Sequence, residues 1–456
     1  METMATTPGG TSGRGSALRT RLVASSAVAD EKRDWPPHVE RIIAADARPA
    51  DTEQGAWRPI RIHGGPGSGK TALIVDAAVA RLRAPDVEPE SVLVLASSRQ
   101  AAATLREEIT RRVLAGSDAT DGRRALGGAL REPLVRTVHS YAFAILRLQA
   151  SAHNNPPPRL ITGSEQDVVL RELLAGDIED GAGYWPAHLR PALGTDGFAQ
   201  ALRDLMMRAA ERGAGPEELA ALGRRHRRPE WVAAARAYAQ YEQNMLLRGA
   251  VGLETPGASA PAVDAAELVG SALSAFATDR ELLIAQRARI RHLLVDDAQH
   301  LDPQAAQLVK LIGTGTTSTL IAADTDQSVF GFRGADPRFA DDLAEPGSDR
   351  DILLDTNFRS EAQIERVGRV LASRLPGARP HPYPQAPAES PATGAGGVQV
   401  RVFGSSAKEA TAVADLLRRA HLFDGVPWSR MAVIVRSVSL APVSYTHLTL
   451  PTSDLV

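Results

Sequence analysis

Three short stretches of the chain, 92–96, 292–295 and 319–323, are apolar almost without interruption, the pattern of parallel strands covered on both faces. A fourth strand is expected over 60–63. A glycine-rich loop follows it at once, and then an apolar-periodic helix over 71–82. Strand, loop and helix in that order, together with the other buried strands, predict a doubly wound α/β sheet. After a proline-rich break at 155–158 the period becomes helical, over 165–174, 198–212, 216–222 and 230–247, so a helical insertion interrupts the α/β domain. Past Arg359 a helix to about residue 375 runs into a proline-rich stretch that reads as a linker. A new α/β unit is then expected, with a strand over 398–403, a helix over 409–420 and a strand over 431–435.

The expected organisation is a disordered tail over 1–20, the first part of the α/β domain over 21–155, the helical insertion over 156–270 and the second part over 271–375. The linker over 376–396 and the start of a second α/β domain over 397–440 follow. Residues 441–456 lose the alanine and arginine bias of the rest, resemble translated sequencing-adapter read-through, and are set aside as a non-native tail.

Composition narrows the function classes. A chain of 456 residues, 43% hydrophobic, is long enough for several domains with real cores. Its formal charge of −2 gives no overall pull toward nucleic acid, so any such contact has to come from a local basic surface. The absence of cysteine excludes a disulfide framework, a thiolate nucleophile and a cysteine-ligated metal. No long uncharged apolar run and no signal-type hydrophobic core occur, so no membrane partner is expected and the cytoplasm is the simplest location. The excess of Ala, Arg, Gly and Pro reads as the bias of a GC-rich genome.

The candidate chemistry begins with Gly64, Gly65, Pro66, Gly67, Ser68, Gly69, Lys70 and Thr71, the pattern G-x-x-x-x-G-K-T placed between a strand and a helix. Glycines let backbone N–H groups curl around a phosphate that also sits at the positive end of a helix. Lys70 is expected to reach the β- and γ-phosphates of ATP, and Thr71 to hold Mg²⁺. The strand over 292–295 ends in Asp296-Asp297-Ala298-Gln299, and a carboxylate at the C-terminal end of a neighbouring parallel strand is where such a fold holds its Mg²⁺. Asp296 is the metal candidate and Asp297 the candidate base for water. An acidic pair after a strand is also a common helix cap, but its order after the phosphate loop favours the chemical role.

Further motifs bring a family into view. Ser98 to Arg106 resembles motif Ia of the superfamily 1 DNA helicases of the UvrD, PcrA and RecB kind, and Thr137-Val138-His139-Ser140 resembles their T-F-H-S segment. Leu294 to Gln299 is similar to their D-E-x-Q motif II, Ala323 to Ala335 to motif III, and Thr356-Asn357-Phe358-Arg359-Ser360 to motif IV. The resemblance implies a P-loop NTPase of RecA-like fold, called 1A, with a helical insertion 1B and the start of a second RecA-like domain, 2A. It implies that Gln299 and Gln327 sense the γ-phosphate, that Arg359 stabilises its developing charge, and that Phe358 stacks on adenine. Ser98, Thr137, His139, Ser140, Phe332 and Arg333 would face single-stranded DNA, where an exposed aromatic offers a sequence-tolerant stacking surface. The insertion and the run 160–166 also resemble the actinobacterial AdnA and AdnB subunits, which pair as a helicase-nuclease. The basic run Arg224-Arg225-His226-Arg227-Arg228 reads either as a duplex-phosphate contact or as a solvated helix end.

The implied activity is ATP-driven 3′ to 5′ translocation on single-stranded DNA and at single/double-strand junctions, in repair or recombination. Four departures bear on it: Asp297 stands where the family has Glu, Ala72 where it often has an adenine-stacking Arg, and Ser97 where a DNA-stacking Phe is usual, while no adenine-reading Gln motif is evident before Ile60. The chain also stops before motifs V and VI. The alternative reading is therefore a weak or non-catalytic motor subunit of a heterodimeric helicase-nuclease. A phosphate-loop NTPase unrelated to nucleic acid is disfavoured by the segments 327–335 and 357–360.

Overall fold

A computed structural model describes residues 33–44, 57–115, 134–251, 262–265, 267–375, 382–385 and 397–435. The expected tails over 1–20 and 441–456 lie outside the described residues. Among the described residues eight strands are formed: β1 Ile60–His63, β2 Val92–Ala96, β3 Val135–Thr137, β4 Arg159–Leu160, β5 Ala262–Val263, β6 His292–Val295, β7 Ser318–Ala323 and β8 Asp351–Leu353. Six of them make one sheet in the order β3-β2-β6-β7-β1-β8, every pair parallel. This is a mixed α/β fold consistent with a RecA-like domain, and the four strands expected from the apolar pattern are its centre.

Those central strands are continuous apolar runs because each face of the sheet is covered. Leu93, Leu95, Leu293, Val295, Ile321 and Ala323 pack into the core on one side. Their alternate neighbours Val92, Val94, Leu294, Leu320 and Ala322 pack into the core on the other, with the helix Lys70–Arg83. Leu294 and Leu320 are fully enclosed, and burying such a side chain contributes about 1.5–3 kcal/mol. Parallel strands all leave the sheet in one direction, so the loops after β1, β2, β3, β6, β7 and β8 gather along one edge.

The helices Gly163–Glu179, Asp196–Glu211, Pro216–Arg225 and Pro229–Val251 form a separate core around the buried Trp185, Tyr241 and Leu170. Thr162 starts the first of them through a reciprocal capping box with Glu165. At the root of these helices β4 and β5 pair in parallel, Arg159 with Ala262 and Leu160 with Val263.

The chain divides into two compact units, one within 1–360 and 372–390, the other within 361–371 and 391–456. Two expectations are corrected here. Part of the proline-rich stretch is docked: the Gln385 N–H donates to the Asp355 carbonyl at 2.8 Å, and the Asn357 N–H to the Gln385 carbonyl at 2.7 Å. In the second unit the helix forms, as Ser406–Leu422, but 398–403 and 431–435 make no strands. Val400, Val402 and Ile434 are almost fully exposed. A strand needs a neighbour to satisfy its N–H and C=O groups, and among the described residues these segments have none.

Candidate nucleotide and nucleic-acid site

The loop Gly64 to Gly69 connects β1 to the helix Lys70–Arg83. Gly67 has φ +77°, a left-handed conformation that favours glycine, and a Cβ there would overlap the Asn357 amide oxygen. Gly65 is required for a different reason, since its Cβ would overlap the ring of Pro384 in the docked segment. Lys70 folds back on the loop, with Nζ donating to the carbonyls of Gly64 at 2.6 Å and Gly65 at 3.0 Å, and with Asp324 at 3.8 Å. Burial lowers the Lys70 pKa from the ordinary lysine value, and the Asp324 carboxylate opposes that shift. The Ser68 hydroxyl is buried without a partner.

Asp296 lies at the end of β6, beside the loop. Its Oδ2 accepts from the Thr71 hydroxyl at 2.9 Å, while its Oδ1 is buried with no hydrogen-bond partner. Burial, and then the neighbouring Asp297 charge, hold the Asp296 carboxyl well above the usual carboxylate range. An orphan carboxylate oxygen next to a threonine hydroxyl fits a hard, oxygen-seeking cation such as Mg²⁺, which removes the cost of both.

Asp297 is one of the few non-glycine residues with a positive φ among the described residues, +55°. Its carboxylate accepts from the Ser97 hydroxyl at 3.4 Å and from Gln299 Nε2 at 3.2 Å. Gln299 is almost fully buried, and its Oε1 accepts from the Asp324 N–H at 3.0 Å. Asp324 in turn accepts from Gln327 Nε2. The result is one polar network running from Lys70 through Asp324 to Gln327 on one branch and through Gln299 to Asp297 on the other. Asp324, to which the sequence reading assigned no role, is its centre. The signal was its position at the C-terminal end of β7.

On the other side of the loop the Phe358 N–H donates to the Gly67 carbonyl at 3.0 Å. Asn357, 1% exposed, uses its side-chain oxygen to accept from the N–H groups of Arg359 and Ser360 at 3.0 and 3.1 Å. This turn leaves the Phe358 ring 70% exposed and the Arg359 guanidinium in solvent near Lys70. Trp35 was also missed by the sequence reading. Its ring abuts Gly69, and its Nε1 donates to Asp76 at 2.7 Å.

The residues expected to meet DNA follow β2, β3 and β7. Ser98 accepts from the Ala101 N–H at 3.1 Å at the start of the helix Arg99–Ala115, and Thr137 caps the helix Val138–Ala152 by accepting from the Ser140 N–H. Helix capping therefore accounts for both hydroxyls. His139 and Ser140 are exposed beside them. Phe332 is 65% exposed, so it is not a core aromatic, and the exposed Arg333 lies over both Phe330 and Phe332 at 5.4 and 5.5 Å.

The family described as the UvrD/REP helicase N-terminal domain matches residues 50–346. The chain is 26% identical over 364 residues to the ATP-dependent DNA helicase UvrD1 of Mycobacterium tuberculosis (strain ATCC 25618 / H37Rv), covering 77% of this chain and 42% of the relative. It is 22% identical over 311 residues to the ATP-dependent DNA helicase PcrA of Staphylococcus aureus (strain NCTC 8325 / PS 47), covering 67% and 37%. The chain thus spans about two fifths of the length of the curated relatives it matches.

Proposed function

The chain belongs to the family of UvrD/REP helicase N-terminal domains, and from that premise we propose that it binds and hydrolyses ATP to drive movement on single-stranded DNA, with 3′ to 5′ polarity and a role in repair or recombination in the cytoplasm. The observation that carries the proposal is the continuous network from Lys70 through Asp324 to Gln327, Gln299 and Asp297, set at the edge of the sheet beside Phe332. A triphosphate in the loop draws Lys70 away from the Gly64 and Gly65 carbonyls, and Asp324 loses its partial partner. That change passes to both glutamines through shared hydrogen bonds.

Phosphoryl transfer needs positioning and positive charge more than covalent help. Lys70 and Arg359 supply the charge on either side of the loop, and Phe358 offers its exposed face to the adenine. Thr71 and Asp296 are the residues that would hold Mg²⁺, which when bound neutralises charge on the phosphate oxygens. Asp297 takes the proton of the attacking water, oriented by Ser97 and Gln299. It is one methylene shorter than glutamate, so its reach to that water is the weakest part of the arrangement. Phe332, Arg333, His139 and Ser140 offer the exposed surface for single-stranded DNA; Thr137 caps the helix that carries His139 and Ser140, and Ser98 starts the helix after β2.

A second reading, a weakly active or non-catalytic motor subunit paired with a helicase-nuclease partner, draws its support from the departures at Asp297, Ala72 and Ser97 and from the lack of an adenine-reading Gln motif before Ile60. The test is ATP turnover by the protein, with and without single-stranded DNA, beside Lys70→Ala and Asp297→Glu. The expected outcome is DNA-stimulated turnover, lost by roughly 10² or more in the lysine variant. A rise in the glutamate variant identifies the short base as rate-limiting. No turnover in any form, alone or with a partner subunit, refutes the enzymatic reading.

A further inference from the structure

At the root of the helical region, walled by the helices Val138–Ala152, Pro229–Val251 and Leu268–Thr278, lies a cavity of about 750 Å³. Its wall is of two kinds. Leu146, Ala150, Val263 and Ala275 make an apolar side, while Glu242 and Glu267 bring two carboxylates beside the Tyr238 hydroxyl. Among the described residues that line it there is no lysine or arginine, and the stretch 252–261, which joins the helix Pro229–Val251 to β5, contains no basic residue. Asp264 and Glu242 add negative charge around Glu267, and among the described residues no cation offsets it there.

A buried carboxylate is ordinarily paired with a cation, because taking its charge out of water is costly. Glu267 instead accepts one long hydrogen bond, from the Tyr238 hydroxyl at 3.4 Å, and burial pushes its carboxyl up to about 7. A second observation does not involve the acids. Gln304 lines the same cavity, wedged between Gly213 and Gly270, where an added Cβ would stand 3.3 Å and 2.7 Å from its amide. Its amide oxygen is buried with no hydrogen-bond partner. Carboxylates without a cation and an acceptor without a donor call for the same ligand, one that brings positive charge and N–H groups. A metal ion does not fit, since among the described residues no three His, Asp or Glu stand close enough to hold one. The cavity falls within the roughly 300–1,000 Å³ of small-molecule sites, and its apolar side suits a hydrocarbon chain.

We propose that this cavity binds an aliphatic di- or polyamine, whose ammonium groups pair with Glu242 and Glu267 while its methylene chain lies along the apolar wall. An ammonium carries three N–H donors, so one group serves a carboxylate and the Tyr238 oxygen together. The bound amine ties the helix that carries Tyr238 and Glu242 to the helix Leu268–Thr278. Gln304 extends the contact to the helix Pro303–Gly313, which follows Asp297 and Gln299 in the chain. The ligand thereby braces the helical region against the α/β core that carries the nucleotide site.

The experiment is calorimetric titration of the full chain with putrescine at about pH 8, where the Glu267 carboxyl is ionised. Butanediol serves as the uncharged analogue, and the putrescine titration is repeated with Mg²⁺ in the buffer. No nucleotide or DNA is present, so the outcome does not depend on the proposed function. The variants are Glu242→Gln/Glu267→Gln, which removes the charges, and Ser274→Phe, which fills the cavity from an exposed wall position and leaves both carboxylates in place. Circular dichroism melting verifies that each is folded, and Ser274→Phe carries the test if the double variant is not. The expected result is a single putrescine site, weakened about tenfold or more in each variant, that Mg²⁺ does not displace and butanediol does not occupy. Absence of putrescine binding by the unaltered protein, unchanged affinity in either folded variant, displacement by Mg²⁺ at equal concentration, or equal binding of butanediol overturns the proposal.

Discussion

At the scale of single residues, the nucleotide site is a set of polar groups left incomplete by the protein itself. Asp296 Oδ1 and the Ser68 hydroxyl are buried without partners, and Lys70 bonds only loop carbonyls and a distant Asp324. An unpaired buried polar group costs about 1–3 kcal/mol, a cost that a ligand supplying the missing partner removes. Replacing Asp296 with Asn keeps the shape and the Thr71 contact but removes the charge. Nucleotide affinity in Asp296→Asn is expected to become nearly the same with Mg²⁺ as with a chelator, whereas the unaltered protein binds at least tenfold tighter with the metal. Calorimetric titration under both conditions checks this, and a retained Mg²⁺ effect in the variant removes Asp296 from the metal site. The residues of this site were legible in the sequence wherever a motif spacing named them. Asp324 was not, because its importance lies in touching Lys70, Gln299 and Gln327 at once, which no spacing along the chain reports.

At the scale of elements, long apolar strands and amphipathic helices were legible, and short ones were not. β1, β2 and β6 have the expected bounds and β7 begins one residue earlier, because strands buried on both faces must be apolar throughout. β3 and β8 have three residues each, and β3 includes Arg136, so neither carries enough period to be seen. The proline-rich stretch failed as a linker over 382–385, where composition suggested an extended spacer and backbone hydrogen bonds to Asp355 and Asn357 prevailed. That docking gives an element-scale prediction. In Gly65→Ala the new methyl meets Pro384, so the Gln385 amide, which donates to the Asp355 carbonyl, is expected to exchange faster and stability to fall by about 1–2 kcal/mol. Adding Pro384→Gly restores most of the loss, with a coupling of roughly 1 kcal/mol in the double-mutant cycle. Additive losses in that cycle show that the two residues do not touch.

At the scale of the whole molecule, the root of the helical region holds a group that links stability to pH. Glu267 precedes the helix Leu268–Thr278, accepts from the Tyr238 hydroxyl at 3.4 Å, and lines a cavity of about 750 Å³ with Glu242. Burial, then the charges of Asp264 and Glu242, push its pKa from 4.5 up to about 7. The folded chain therefore keeps a proton that the unfolded chain has released, and stability falls as pH rises from about 4.5 to about 7. Glu267→Gln is expected to stabilise the protein on the order of 2 kcal/mol at pH near 8 and hardly at all at pH near 5, as urea melts at the two values will read. An equal effect at both pH values excludes this titration. The sequence by itself determined the α/β class, the phosphate loop and the order of the motifs, because periodicity and fixed spacing are local and survive in one dimension. Only the tertiary structure decided which side chains share a proton, a charge or a surface: the Asp324 network, the docked Pro384 and the raised Glu267. Each of these depends on distances between residues far apart in the chain, and on how much water the packing leaves around them.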